Sequence, residues 1–385
     1  MKSTTLSSAP KPESIFFRIL LALPLLGLFY FARTVLTANV SHYLPLLEEA
    51  AKTGWIDDKG RLIELRKTYS GIEELDSFLA IFVGFFTPAL AGLDRSSFSG
   101  IKLDQWGWLY ARQRLQSITF LADVTVLNAI LTLESCRRGN SKTLVAIPTI
   151  FLLAGQLLGA GQISPLFYFL TYITTSPSRL NTRTNRTVPT HYAKTILPAL
   201  LLGYIIPSIG SFYPSSPLSS RQGWNYIWQF FPIWIPAFHF LFSRFISNKG
   251  PGSEIASLRL AYALVFLVST SAYLYVFSVS PGPFSQLFFK NISVWDWDTA
   301  FISISENTAM FLKWDEIFIV LGTAYWMMLN VRDLKREGRI EASWVSILAV
   351  FGVVSALCGP GAGMAVIWWW REEALSGADL EGKRE

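Results

Sequence analysis

The chain has 385 residues, of which 51% are apolar and 16% charged, and its mean hydropathy is positive. By composition this is a polytopic membrane protein. A net charge of +6 spread through loops fits phosphate contacts at membrane edges and no nucleic-acid fold. Two cysteines, Cys136 and Cys358, support neither a disulfide framework nor a metal cluster.

Residues 1–18 are short, polar and weakly basic, and the apolar run ILLALPLLGLFYFA follows without a small-residue cleavage site. That pattern reads as a retained first helix, not a removed signal peptide. Apolar blocks of about 20 residues match a hydrocarbon core of about 30 Å. They predict spans at roughly 15–36, 75–93, 113–135, 143–163, 193–212, 224–243, 259–279, 315–331 and 342–368. The fourth extends or breaks after the Gly-rich LLGAGQ, because PLFYFLTYI (Pro165 to Ile173) is also apolar. The fold class is therefore all-α: one polytopic transmembrane helical bundle over residues 1–385, with about eight or nine spans and no obvious internal repeat.

With a cytoplasmic N-terminus, loop 175–194 carries Arg179, Arg183, Arg186 and Lys194. Loop 244–259 adds Arg244, Lys249 and Arg259, and loop 332–341 adds Arg332, Lys335, Arg336 and Arg339. Opposite loops in this half hold only Arg221, Lys290 and Lys313, which fits the positive-inside rule. Arg137, Arg138 and Lys142 fall on the other side in this arrangement. Segments 37–74 and 280–314 share the non-cytoplasmic face, where their aromatic residues read as caps over the bundle.

Asp123 lies in the middle of the third span, LQSITFLADVTVLNAILTL (Leu115 to Leu133). A carboxylate at that depth costs about 3 kcal/mol on insertion scales, so it faces a bundle interior or a cavity. Gln116, seven residues earlier, shares its helical face. Glu73, Glu74 and Asp76 stand at the mouth of the second span, and Asp296, Asp298, Glu306, Asp315 and Glu316 gather near the 280–314 segment. A carboxylic acid in apolar surroundings keeps the proton that general-acid work needs. The competing reading is structural: a hydrogen bond from Asp123 to Gln116 or another span, a helix-cap or loop-surface role for Glu306, exposed positions for Glu73, Glu74 and Asp76, and N-terminal capping by Asp315 and Glu316.

Twenty-nine Phe, 14 Trp and 14 Tyr exceed what interfacial anchoring asks, because some are interleaved with acids, as in VWDWDTAF (Val294 to Phe301). Ring faces attract cations, Trp most strongly, so Trp295, Trp297, Trp224 and Trp228 are candidate walls for a cationic ligand or a carbocation. His239, inside a span, reads as an acyl-transfer base, a proton relay or a satisfied polar contact. No zinc spacing, no aspartate-rich diphosphate motif, no GxGxxG, Walker or GxSxG sequence occurs, so neither a metal nor a cofactor is expected. CGPGAG (Cys358 to Gly363) reads as a closely packed helix region.

The segment GIEELDSFLAIFVGFFTPAL (Gly71 to Leu90), with the third-span patch RQRLQSITFLADVTVLNA (Arg112 to Ala129), resembles the fungal integral-membrane terpene cyclases of meroterpenoid pathways, the group that makes ascochlorin, ascofuranone and macrophorin-type products. The resemblance implies cyclisation of a farnesyl chain carried on an aromatic or polyketide-derived head. It implies protonation of a terminal epoxide or alkene, without metal and without loss of diphosphate. For such a reaction, depth and topology place Asp123 or Glu306 as the acid and Glu74 or Asp76 as partner or terminal base, with Gln116 beside the substrate. The amphipathic prenylated substrate would enter from lipid, and the endoplasmic-reticulum membrane is the expected location. Competing readings are a proton-coupled transporter of lipids or small metabolites, a membrane acyltransferase resting on His239, and a structural or assembly protein.

Overall fold

A computed structural model describes residues 13–58, 60–91, 105–249, 253–280 and 303–381. Helix α1 (Ile15–Thr53) opens on Ser14, whose Oγ accepts from the Phe17 N–H at 3.3 Å. It closes on Gly54, which takes a φ of +82° that favours glycine and returns its N–H to the Ala50 carbonyl. Two short antiparallel strands follow, β1 (Trp55–Asp58) and β2 (Arg61–Glu64), with Trp55 opposite Glu64. This hairpin departs from the all-α expectation; its Ile56 and Ile63 pack with Leu47, Leu79 and Val83, on α1 and on α2 (Glu73–Ala91).

Helix α3 (Gln105–Cys136) is the pillar of the bundle: over Ala111–Cys136 its apolar window is 94% buried. Next come α4 (Pro148–Leu158) and α5 (Ala160–Thr174). Helix α6 (Thr190–Leu200) runs through a π-turn at Leu201–Ile205 into α7 (Ile206–Ser211). Helices α8 (Leu218–Trp228), α9 (Phe231–Ser243), α10 (Ile255–Val279), α11 (Ile304–Arg336), α12 (Trp344–Cys358) and α13 (Pro360–Glu381) complete the described chain. Six stretches among the described residues are long and apolar enough to cross a bilayer, fewer than the eight or nine expected. The fourth, sixth and ninth expected spans are each split into shorter helices, at Gly159, at Gln229–Phe230 and at Gly359.

Two of those splits are reversals of direction. Gly159 has φ +98° and Gly359 has φ +100°, a region open to glycine and costly for other residues. Phe151 and Phe167 stand eight residues either side of Gly159, and their ring centroids are 4.7 Å apart, so α5 runs back along α4. Likewise a Cβ on Gly363 would strike the Ser355 hydroxyl, four residues the other side of Gly359, so α13 runs back along α12. The molecule thus builds one unit twice: a long helix followed by a re-entrant hairpin. Each hairpin packs its returning half on the other unit's long helix, α5 on α11 and α13 on α3. The repeat is hidden in sequence except at the tips, where Leu157-x-Gly159-x-Gly161 matches Leu357-x-Gly359-x-Gly361.

Because the first hairpin turns back, Arg137 and Arg138 share an end of the bundle with loop 175–194. The Arg138 N–H donates to the Thr187 carbonyl, and Arg179 Nε donates to Asn140 Oδ1 at 2.6 Å. Arg18 pairs with Asp333 at 3.0 Å and also donates to the Tyr172 and Thr175 carbonyls, bringing the N-terminal end of α1 to the same place. The charge asymmetry of the sequence is therefore more complete than the linear span count predicts. At the far end, Asp58 accepts from the Ile304 N–H at 2.8 Å and the Ser305 hydroxyl at 2.6 Å, so the described parts of segments 37–74 and 280–314 touch there.

The hairpin tips demand small residues. A Cβ on Gly161 would fall on the Asp315 carbonyl oxygen and 2.9 Å from Phe318 Cβ. Gly161→Ala is expected to lift α5 off α11, with an overpacking cost of about 1–3 kcal/mol. A lower thermal midpoint for the detergent-solubilised variant checks this.

Candidate active site

Between α1, α2, α3, the first hairpin, α8, α9 and α11 lies a cavity of about 580 Å³. Tyr43, Phe82, Phe85, Phe120, Trp228 and Phe311 are among its walls. These rings brace one another: Phe85 meets Phe311 edge-on at 5.6 Å, and Phe86 meets Trp228 edge-on at 5.6 Å. Helical spacing on α2 turns Phe78, Phe82 and Phe85 to the same side. One region of the wall is polar, where Gln156 donates to Gln229 at 2.5 Å.

Asp315 of α11 also faces this cavity and is 2% exposed. Its Oδ1 accepts the Gly161 N–H at 2.6 Å, so the carboxyl sits against the N-terminal, partly positive end of α5. Gly159 is needed for the same approach, since a Cβ there would stand 3.1 Å from that oxygen.

The next residue, Glu316, points to the other side of α11, into a second cavity of about 420 Å³. Here Asp123 lies at the tip of the second hairpin: a Cβ on Gly361 would collide with its Oδ1. Asp123 Oδ1 accepts from the Ser269 hydroxyl at 2.7 Å, and Gln116 donates to Glu316. Asp123 Oδ2 and Gln116 Oε1 are buried with no partner in the protein, and Lys313 completes the polar wall. Asp123 and Asp315 therefore occupy matching places in the two repeated units.

The sequence-derived candidates separate on this geometry. Asp123 and Gln116 do line one cavity, with Glu316 as the neighbouring acid in place of Glu306. Glu306 sits in the first turn of α11, its N–H capped by Ser303 Oγ at 3.0 Å, beside Arg112. Glu74 is exposed. Asp76 clamps the loop before α2: it accepts from the N–H groups of Tyr69, Ser70 and Gly71, from the Ser70 hydroxyl and from the Tyr226 hydroxyl. Tyr69 stacks on Tyr226 at 4.4 Å, and burial, against the pull of the Arg66 guanidinium, pushes its phenol well above the usual value. Trp228 lines the large cavity, whereas Trp224 is 38% exposed and packs over Gly210. Trp295 and Trp297 lie outside the described residues, as do Asp296 and Asp298.

Asp315 and Glu316 are the residues that reading the sequence as spans undervalued. Placing the start of a span at 315 makes them caps, but α11 begins at Ile304 and carries them to mid-helix. The signal was present: consecutive acids followed by IFIVLG, with ISENTAMFLKW (Ile304 to Trp314) ahead of them long enough for about three more turns. His239 is a satisfied polar contact in part, with Nε2 2.9 Å from the Tyr192 carbonyl.

Residues 18–376 match the CtvD domain. The chain belongs to the CtvD domain family. It is 32% identical over 270 residues to the FAD-dependent monooxygenase verC1 of Penicillium polonicum, covering 68% of this chain and 33% of that one. The chain thus spans about a third of the length of that relative. It is 22% identical over 375 residues to the terpene cyclase ascI of Acremonium egyptiacum, covering 90% of this chain and 91% of the relative. It is 23% identical over 304 residues to the terpene cyclase ctvD of Aspergillus terreus, covering 76% and 82%. No solved structure matches the chain. In this CtvD domain the family boundaries run from Arg18 to Ser376, so they take in both re-entrant units and both cavities.

Proposed function

We propose that the protein is a membrane-bound terpene cyclase of the class II type, acting on a farnesyl chain that carries an aromatic or polyketide-derived head. The observation that supports this is Asp315, a buried carboxyl among aromatic walls in a cavity of about 580 Å³. Protonated Asp315 gives its proton to the oxygen of a terminal epoxide, and the bond from that oxygen to the more substituted carbon breaks. The neighbouring alkene attacks that carbon, and the positive charge moves along the chain as rings close. The carboxylate left behind has its charge met as it forms by the Gly161 N–H at the end of α5. Tyr43, Phe82, Phe85, Phe120 and Trp228 offer ring faces to the travelling cation. Loss of one proton from the last cation balances the proton given, so the reaction is an isomerisation. No diphosphate leaves, and the chemistry asks for no magnesium.

Two further features support details of the reading. A relative that holds the matching region inside a longer chain is an FAD-dependent monooxygenase, and oxygen insertion at a terminal alkene yields the epoxide. The basic end of the bundle, with the N-terminal end of α1, belongs on the cytoplasmic side by the positive-inside rule, and the endoplasmic reticulum is the proposed membrane. Substrate and lipid are the partners in this reading.

The test is cyclisation by isolated membranes given a farnesylated phenol as epoxide and as alkene, with chelator present. The expected result is an isomeric product from the epoxide at an unchanged rate on chelation. Asp123→Asn is expected to keep most of that activity; a loss as deep as that of an Asp315 variant would move the chemistry to the smaller cavity. The paired hairpins favour one second reading, proton-coupled transport, because acids at broken-helix tips in repeated units also suit ion sites. Substrate accumulation in proteoliposomes, driven by a proton gradient and without isomerisation, would decide for it.

A further inference from the structure

A third cavity, of about 460 Å³, opens between the basic end of α3, the start of α4 and helix α9; it shares Leu152 and Phe231 with the wall of the large cavity, while Cys136 and His239 line this one alone of the two. On its wall Cys136, the last residue of α3, meets His239 of α9, with Sγ 3.7 Å from Nδ1. The other ring nitrogen, Nε2, lies 2.9 Å from the Tyr192 carbonyl. A carbonyl oxygen only accepts, so the ring proton sits on Nε2 and Nδ1 faces the thiol as a base. Nucleophile, base and a group that fixes the base's tautomer are the three parts of a thiol site.

The remaining walls describe an occupant. Leu152, Phe231, Ile235 and Phe240 form an apolar side suited to an alkyl chain. Arg138 is exposed on the wall at the basic end of the bundle, where a phosphorylated carrier is attracted. Asn128, 0% exposed and on the same wall, has an Oδ1 with no partner in the protein. Buried polar atoms are almost always paired, so an orphan here marks a space made to be filled and not one closed by packing.

We infer that Cys136 is an S-acylation site that takes a long-chain acyl group from an acyl-CoA thioester, with His239 as its base. Nδ1 of His239 accepts the thiol proton while Sγ bonds to the thioester carbonyl carbon. The bond from that carbon to the CoA sulfur then breaks, and the imidazolium returns the proton to the leaving thiolate. One thioester is exchanged for another, so no oxidant, reductant or other energy source is required. The acyl chain lies along Phe231, Ile235 and Phe240.

The test incubates the purified full-length protein with an alkyne-tagged palmitoyl-CoA and reads hydroxylamine-sensitive label by peptide mass spectrometry. Label at Cys136 is expected in the wild type and in Cys358→Ser, and none at that position in Cys136→Ser. His239→Gln is expected to slow labelling at least about tenfold, as removal of a general base does. Size-exclusion profiles and the cyclisation assay report whether each variant is folded, and neither is expected to change in Cys136→Ser. Absence of label in the folded wild type, label only at Cys358, or wild-type kinetics in folded His239→Gln would overturn the inference and leave the cyclase reading untouched.

Discussion

Asp315→Asn is expected to lower turnover of the farnesylated epoxide by about 10²- to 10⁴-fold, the range that removal of a positioned general acid produces. The amide keeps the shape of the side chain and still offers an oxygen to the Gly161 N–H, 2.6 Å away in the native protein, so the hairpin tip retains its bond. What it lacks is the acidic proton. Because substrate is held by the aromatic walls, the loss should fall on kcat with KM little changed. Single-turnover product formation, measured by mass spectrometry on isolated membranes, checks the assignment. Activity within tenfold of wild type in a folded Asp315→Asn protein would sink it.

The largest effect on stability is expected from Arg137→Met. Arg137 has no solvent exposure; it pairs with Glu134 at 2.9 Å and with Glu372 at 2.5 Å, and donates to the Arg186 carbonyl. Arg371 adds a second cation, 2.9 Å from Glu134. The four groups neutralise one another and tie the end of α3 to α13. Removing Arg137 takes away the cation that bridges the two buried carboxylates and leaves Glu372 without its closest partner, a loss of about 3–5 kcal/mol. The detergent-solubilised variant is expected to unfold at a markedly lower temperature or to fail to accumulate. Arg259→Ala, which breaks the solvent-exposed pair with Glu373, is the matched control and is expected to leave the midpoint unchanged.

Asp123 and Asp315 differ in how visible they are in the sequence. Asp123 stood out because it is charged in a run with no other charge nearby. Asp315 did not, because with Lys313 and Glu316 beside it the apolar run begins only at Ile317, so the position has the polarity of a helix start. Hydropathy reads average polarity along the chain, whereas burial depends on what packs alongside. In α11 the polar residues Asn307, Lys313, Asp315 and Glu316 are all buried, since α3, α5 and α1 surround it. Of two tryptophans one turn apart with the same ring chemistry, Trp228 lines the large cavity and Trp224 is exposed over Gly210.

The sequence by itself marked helices long and apolar enough to cross a bilayer, the basic character of loops 175–194, 244–259 and 332–341, and the costly acid at Asp123. Those follow from hydrophobic transfer and charge, which act on each segment whatever its neighbours are. Only the tertiary structure decided that two apparent spans are hairpins, that they repeat, and that Asp123 and Asp315 sit at their tips on opposite sides of α11. A hairpin and a straight span have the same hydropathy. What separates them is the backbone at Gly159 and Gly359 and the close packing that only a missing side chain permits.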